Sequence, residues 1–320
     1  MEAIQHSTIK VNGINLHFAH ITPTTTSPPI LFLHGFPELW YTWRHQMLHL
    51  SSLGYRTIAP DLRGYGDTDA PVSPSEYTVF HIVGDLIGLI DALGLDKVFV
   101  VGHDWGAVIA WWFCLLRPDR VKALVNLSVV FSPRHPVRKP IESMRAMFGS
   151  DYYICRFQPP GEVEEEFARV DTSLVIKKFL TYRKPGVFCV PKEVGFGGNP
   201  NAQIKLPSWL TEDDVNYVAD KFKRTGFTGG LNYYRAMDLN WELTAPWTNV
   251  QIKAPVKFIV GDLDLTYTTP GVKDFIHKGG FNKYVPFLQE LVIMEGVAHF
   301  INQEKPQEIS EHIHDFIKRF

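Results

Sequence analysis

The chain has 320 residues, a length that suits one large α/β domain or a core carrying an inserted subdomain. Hydrophobic residues make up 45% and charged residues 21%, which excludes the disordered and fibrous classes. A net charge of -2 without long single-sign runs gives neither nucleic acid nor an anionic membrane surface an electrostatic foothold, so a neutral small molecule is the expected partner. The three cysteines, Cys114, Cys155 and Cys189, show no C-x-x-C spacing and are expected as free buried thiols in a reducing compartment.

Residues 1–10 lack the charged segment and apolar run of a secretory signal, so a cytoplasmic location is expected. Asn12-Gly13, flanked by 8–11 and 14–19, is a two-residue hairpin signal, and the sheet is expected to begin antiparallel. Apolar runs at 30–33, 55–59, 97–101 and 121–127 read as buried strands, with helices over 78–93, stopped by Gly94, and over 107–116. The most apolar window, 98–116, contains His103 and Asp104, which excludes a membrane span. Asn126-Leu127-Ser128 matches a glycosylation sequon but lies in the apolar run 121–130 and is read as chance. Between 134 and 245 the strand rhythm stops, and Met, Tyr, Phe and charged residues alternate with Pro and Gly breaks; the acidic run Glu162 to Glu166 reads there as a solvated face. Strand patterns return at 256–260 and 291–294, and 306–319 is a final amphipathic helix. These elements predict an α/β fold: a mostly parallel sheet flanked by helices, built from 1–133 and 246–320, with 134–245 inserted as a mainly helical cap. His312 and His314 stand two apart on the last helix and face different ways, and H-E-x-x-H is absent from the sequence; neither a metal nor an organic cofactor is expected.

The chemistry concentrates where strand 97–101 runs into Gly102-His103-Asp104-Trp105-Gly106 and then into a helix. A small residue on either side of a central residue permits a sharp strand-to-helix turn, and this spacing resembles the nucleophile elbow of the α/β-hydrolase fold, with Asp104 at the nucleophile position. The helix N-terminus behind it favours an ionised carboxylate. The bland alternative is an N-cap aspartate on an ordinary turn. Two later features weigh against it. Asp264 follows the strand at 256–260 and His299 follows the strand at 291–294, so nucleophile, acid and histidine occur in the α/β-hydrolase order with the cap between the first two. His34-Gly35-Phe36-Pro37 resembles the oxyanion loop of that fold, in which the amides of Phe36 and Trp105 would bind a developing oxyanion while His34 shapes the loop; a cis bond before Pro37 fits such a turn.

Aspartate rather than serine selects the reaction. Serine attack on a saturated carbon would leave an inert ether, whereas a carboxylate forms an ester that water can cleave. Epoxides and haloalkanes both offer a saturated carbon with a leaving heteroatom. An epoxide oxygen leaves as an alkoxide and wants an acidic hydrogen bond, which a halide does not. Two tyrosine pairs in the cap, Tyr152-Tyr153 and Tyr233-Tyr234, offer phenols; either pair suits the role, and packing alone is the alternative.

Four stretches, HGFPELWYTWRHQ from His34, DLRGYGDTDAP from Asp61, VGHDWGA from Val101 and LNYYRAMDLNWEL from Leu231, resemble the plant-type soluble epoxide hydrolases over essentially the whole chain. The resemblance implies hydrolysis of epoxides, from fatty-acid or aryl precursors, to vicinal diols by a monomer or homodimer. It implies Asp104 as nucleophile, Asp264 as orienting carboxylate, His299 as water-activating base, and Tyr153 and Tyr234 as phenol donors. Haloalkane dehalogenases, the second reading, carry a polar residue where Phe36 stands, and fluoroacetate dehalogenases carry Arg where Trp105 stands. A non-catalytic small-molecule receptor is the third reading, against which the intact Asp104, Asp264 and His299 set speaks.

Overall fold

The structure, a computed structural model, describes residues 3–23, 28–199 and 202–320, so the first two positions of the 1–10 stretch lie outside the described residues. Among the described residues one sheet contains β1 (Gln5–Val11), β2 (Ile14–Ile21), β3 (Ile30–Leu33), β4 (Thr57–Pro60), β5 (Val98–His103), β6 (Val121–Leu127), β7 (Val256–Gly261) and β8 (Leu288–Met294). Asn12 and Gly13 take positive φ, 45° and 83°, as the hairpin turn demands, and place Val11 opposite Ile14. β2 pairs antiparallel with β4, and every further pairing is parallel in the order β1-β2-β4-β3-β5-β6-β7-β8. β3, β4, β5 and β7 are buried along their whole length, which is why they read as mostly apolar runs, with Thr57, His103 and Lys257 as the buried polar exceptions.

The helices are α1 (Arg44–Ser52), α2 (Val79–Ala92) and α3 (Trp105–Leu116), then α4 (Pro140–Phe148), α5 (Tyr153–Arg156), α6 (Glu162–Ala168), α7 (Thr172–Leu180), α8 (Glu212–Thr225), α9 (Thr228–Arg235) and α10 (Met237–Leu243) between β6 and β7. α11 (Leu265–Thr268), α12 (Val272–His277) and α13 (Gly280–Tyr284) precede β8, and α14 (Ile301–Glu304) and α15 (Pro306–Ile317) follow it. Boundaries differ from the expected ones for local reasons. α2 loses a residue at each end because Thr78 caps it, accepting from the His81 amide at 3.4 Å, and Leu93 is its C-cap. β8 begins three residues early, because Gln289 and Glu290 on this last strand of the sheet break its apolar pattern.

The chain steps from β3 outward to β4 on one side and to β5 on the other, so the crevice beyond the carboxyl ends of β3 and β5 is the topological switch point of the sheet. Two minor expectations fail. Glu166 of the acidic run is buried and pairs with Arg156, and Glu164 pairs with Arg235 at 2.8 Å, since α6 turns these carboxylates toward α5 and α9 rather than to solvent. All three cysteines are free, but Cys189 is exposed. Asn126 is fully buried and donates to the Ala107 carbonyl at 3.0 Å, so the sequon is inaccessible. No helix of the described residues is long and apolar enough to cross a membrane.

Gly106 in the first turn of α3 lies so close to β3 that a Cβ would overlap the Leu33 carbonyl. In an exposed helix interior, Gly to Ala stabilises by about 1 kcal/mol. Here the sign should reverse: Gly106→Ala is expected to lower the unfolding free energy by about 2 kcal/mol or more, read from the urea midpoint.

Candidate active site

Asp104 joins β5 to α3 with φ 53° and ψ -121°, a conformation rarely adopted by a residue with a side chain. It stands at the N-cap position, yet its side chain makes no capping bond to α3. One oxygen instead accepts from the Phe36 amide at 2.7 Å, and the other lies 3.3 Å from His299 Nε2. The capping alternative is thereby set aside. The Phe36–Pro37 bond is cis, and Gly35 lets the loop after β3 pass against Asp104, where a Cβ would collide with the carboxylate. His34 bonds to the Gly35 carbonyl at 2.9 Å and accepts from the Leu62 amide at 3.0 Å, so it shapes the loop as expected. Trp105 follows as the first residue of α3, where its amide has no acceptor one turn back within the helix.

Behind His299, Nδ1 lies 3.0 and 3.1 Å from the two oxygens of the fully buried Asp264. The neighbouring Asp262 is a turn residue, accepting from the Gly296 amide at 2.8 Å. Burial disfavours a charged His299, but Asp264 and then Asp104 outweigh it and hold its pKa well above the ordinary value. Burial likewise pushes both carboxyls up, and the bonds and charge of His299 hold Asp104 and Asp264 below the usual carboxylate value. The two carboxylates thus favour the charged form of the imidazole between them, and the imidazole favours the charged form of each carboxylate.

Tyr153 at the start of α5 and Tyr234 on α9 line the cavity that also contains Asp104 and His299, their ring centroids 6.1 Å apart. Burial, reinforced by neighbouring charge, pushes both phenols well above their ordinary pKa, so both remain protonated donors. Phe36, Phe179, Phe188, Leu265 and Phe300 complete an apolar wall. The first tyrosine of each pair is occupied differently. Tyr233 donates to the Arg63 carbonyl at 2.9 Å, and Tyr152 packs on Phe148 with ring centroids 4.9 Å apart.

Sequence reasoning missed Glu38 and His103. Both are buried, and His103 Nδ1 lies 2.8 Å from Glu38 Oε2 while Nε2 lies 2.7 Å from the His299 carbonyl. Both ring nitrogens of His103 are thus engaged, one by a side-chain carboxyl and one by a backbone carbonyl. Glu38 also accepts from Thr42, at 2.5 Å, and from Gln303, at 3.0 Å. The available signal was Glu38 four residues beyond His34 and His103 directly before Asp104, two polar residues in otherwise apolar surroundings. A further group, His17, Asp61 and Asp67, brings ligand-type atoms within 4.8 Å around β2 and the segment after β4. Its ligand-type atoms already have partners, His17 bonding Asp61 at 2.8 Å and Asp67 pairing with Lys221 and Arg224.

The fold is that of an α/β hydrolase, with Asp104 at the turn between β5 and α3, and known proteins share the fold. A family model described as alpha/beta hydrolase fold matches residues 28–164. Epoxide hydrolase 3 of Siraitia grosvenorii is 63% identical over 320 residues, covering 100% of both chains. The crystal structure of an epoxide hydrolase from Vigna radiata matches with a TM-score of 0.96 at 56% identity, covering 100% of this chain and 99% of that one. A laboratory-evolved variant of potato epoxide hydrolase matches with a TM-score of 0.94 at 56% identity, covering 99% of each chain. The chain belongs to the plant epoxide hydrolases.

Glu38→Gln keeps the shape beneath the nucleophile but removes the charge facing His103. It is expected to cost about 2 kcal/mol of unfolding free energy at neutral pH, as a lost charge-assisted hydrogen bond does, read by denaturant titration.

Proposed function

We propose that this chain hydrolyses epoxides to vicinal diols through a covalent ester on Asp104. The observation that carries the reading is the placement of one cavity's groups: a carboxylate bonded to the Phe36 amide and facing His299, lined in common with two protonated phenols. Asp104 attacks a ring carbon, the ring C–O bond breaks, and Tyr153 or Tyr234 gives the leaving oxygen its proton while the other phenol holds that oxygen. Alkylation removes the charge of Asp104, so His299 loses one of its two anionic neighbours and becomes a weaker holder of its proton. That proton returns to the phenolate, leaving His299 neutral. Oriented by Asp264, His299 then takes a proton from water as the oxygen adds to the Asp104 carbonyl, and the amides of Phe36 and Trp105 hold the oxyanion. Collapse expels the diol oxygen, which takes the proton of the newly added hydroxyl, and both Asp104 and His299 are charged again.

The apolar wall supports neutral aryl or fatty-acid epoxides as substrates, with water as the second reactant. We assign residues 134–245 to a cap over a core of 1–133 and 246–320, acting as a monomer or homodimer. Free thiols support a cytoplasmic setting.

Asp104→Ala should abolish turnover, and His299→Gln should accumulate an adduct heavier by the mass of the epoxide in intact-protein mass spectrometry. A single turnover in heavy-oxygen water should label the Asp104 side chain first; label found only in the diol would sink the covalent scheme. Tyr153→Phe or Tyr234→Phe should each slow ester formation by about tenfold, the scale of one transition-state hydrogen bond. Halide release from haloalkanes without diol from epoxides would favour the dehalogenase reading instead. In the free enzyme, the His299 imidazole followed by NMR should titrate at a higher pH than the acid limb of ester hydrolysis, because the ester has removed one carboxylate charge.

A further inference from the structure

Asp264 carries more donors than a histidine partner alone provides. Its Oδ1 accepts from the Thr266 amide at 2.8 Å and lies 2.9 Å from the Thr266 hydroxyl, in addition to the bonds from His299. The hydroxyl has a single proton and a second acceptor within reach, the Ser128 carbonyl at 2.8 Å. A carboxylate is the stronger acceptor of the two, because charge assistance roughly doubles the strength of a hydrogen bond. Any residue but proline at this place would supply the amide; the hydroxyl belongs to the threonine side chain. Thr266 also lines the cavity above Asp104, so it stands between the acid and the space where substrate binds.

We propose that the Thr266 hydroxyl is a positioning group for ester hydrolysis: it donates to Asp264 and so limits how firmly that carboxylate holds a proton on His299. The inference rests on the two-step reading, in which His299 has to be neutral to activate water. Each donor on Asp264 draws negative charge toward itself and away from the imidazole. With one donor removed, the carboxylate becomes more basic, the imidazolium is better stabilised, and His299 gives up its proton only at higher pH. The other groups facing this pair are Asp104, 3.3 Å from His299 Nε2, His103 with its partner Glu38 at the His299 carbonyl, the Ser128 hydroxyl, which donates to the His299 carbonyl at 3.0 Å and also helps hold the Asp264 carboxyl down, and the Tyr153 phenol, which feels the charge of both aspartates. All of them are retained when only Thr266 is changed.

Two substitutions separate the hydroxyl from the packing. Thr266→Val keeps the branched shape and loses the hydroxyl; Thr266→Ser keeps the hydroxyl and loses the methyl. Rapid-quench mass spectrometry of the intact protein with a styrene-type epoxide reads ester formation and ester decay separately across pH. Ester decay is compared with the plateau of the same variant, so that any change the altered cavity wall makes to ester formation is read apart from the acid limb. In Thr266→Val the acid limb of decay should move up by about half a pH unit or more, a loss of about threefold on that limb with the plateau kept. Thr266→Ser should overlay the unaltered enzyme. A Thr266→Val profile that overlays the unaltered one, or a shift shared equally by Thr266→Ser, overturns the proposal. Should thermal unfolding show that valine is not tolerated, Thr266→Ala against Thr266→Ser isolates the same hydroxyl: a shift confined to alanine supports the role, and equal profiles overturn it. If no ester forms in the unaltered enzyme at any pH, the two-step reading itself falls, and the proposal with it.

Discussion

Everything in the site depends on the Asp104 carboxylate reaching past its own helix to the Phe36 amide and to His299. An aspartate at a helix start ordinarily turns back to cap it. Here the backbone at φ 53° aims the side chain outward, a conformation that costs of the order of 1–3 kcal/mol and persists only where the surroundings enforce it. Enforcement comes from packing. α3 lies against β3 with Gly106 at the Leu33 carbonyl, and the loop after β3 passes Asp104 at Gly35. The strain and the close approach are two aspects of one arrangement.

Convergence follows from the parallel sheet. β3, β5, β6, β7 and β8 are consecutive neighbours, and their carboxyl ends deliver Phe36, Asp104, Ser128, Asp264 and His299 in that order. The loops close the remaining distance: strands lie about 4.8 Å apart, so the loop after β8 carries His299 back across the sheet ends to lie 3.3 Å from Asp104. The segment between β6 and β7 supplies the phenols. It is tied to the rest of the chain by Arg44 to Asp214 at 2.9 Å and by Tyr233 to the Arg63 carbonyl, so Tyr234 rides on a helix whose neighbouring tyrosine is anchored.

The buried charges are arranged for change rather than for maximal stability. Three carboxylates, Glu38, Asp104 and Asp264, share two imidazoles beneath an aromatic wall, and burying such a set costs solvation that ion pairing only partly returns. What the arrangement provides is a proton affinity at His299 that depends on whether Asp104 carries its charge. In the proposed reaction, a residue whose basicity drops when its neighbour is esterified would serve the two halves in turn.

Much of this was legible in the residues themselves. The mostly apolar strands, the Asn12-Gly13 turn, the glycine-flanked elbow and the order Asp104, Asp264, His299 are local patterns, because strand burial, turn geometry and the nucleophile turn each impose their demands on adjacent positions. The choice of aspartate over serine pointed to saturated-carbon chemistry by valence alone. The pairing of Glu38 with His103, the burial of Glu166, the anchoring of Tyr233 while Tyr234 lines the cavity, and the second donor that Thr266 brings to Asp264 were decided only in three dimensions. Their partners lie far apart in sequence or share a single turn whose direction the sequence does not encode, and a hydrogen bond depends on where two atoms come to rest, not on which residues carry them.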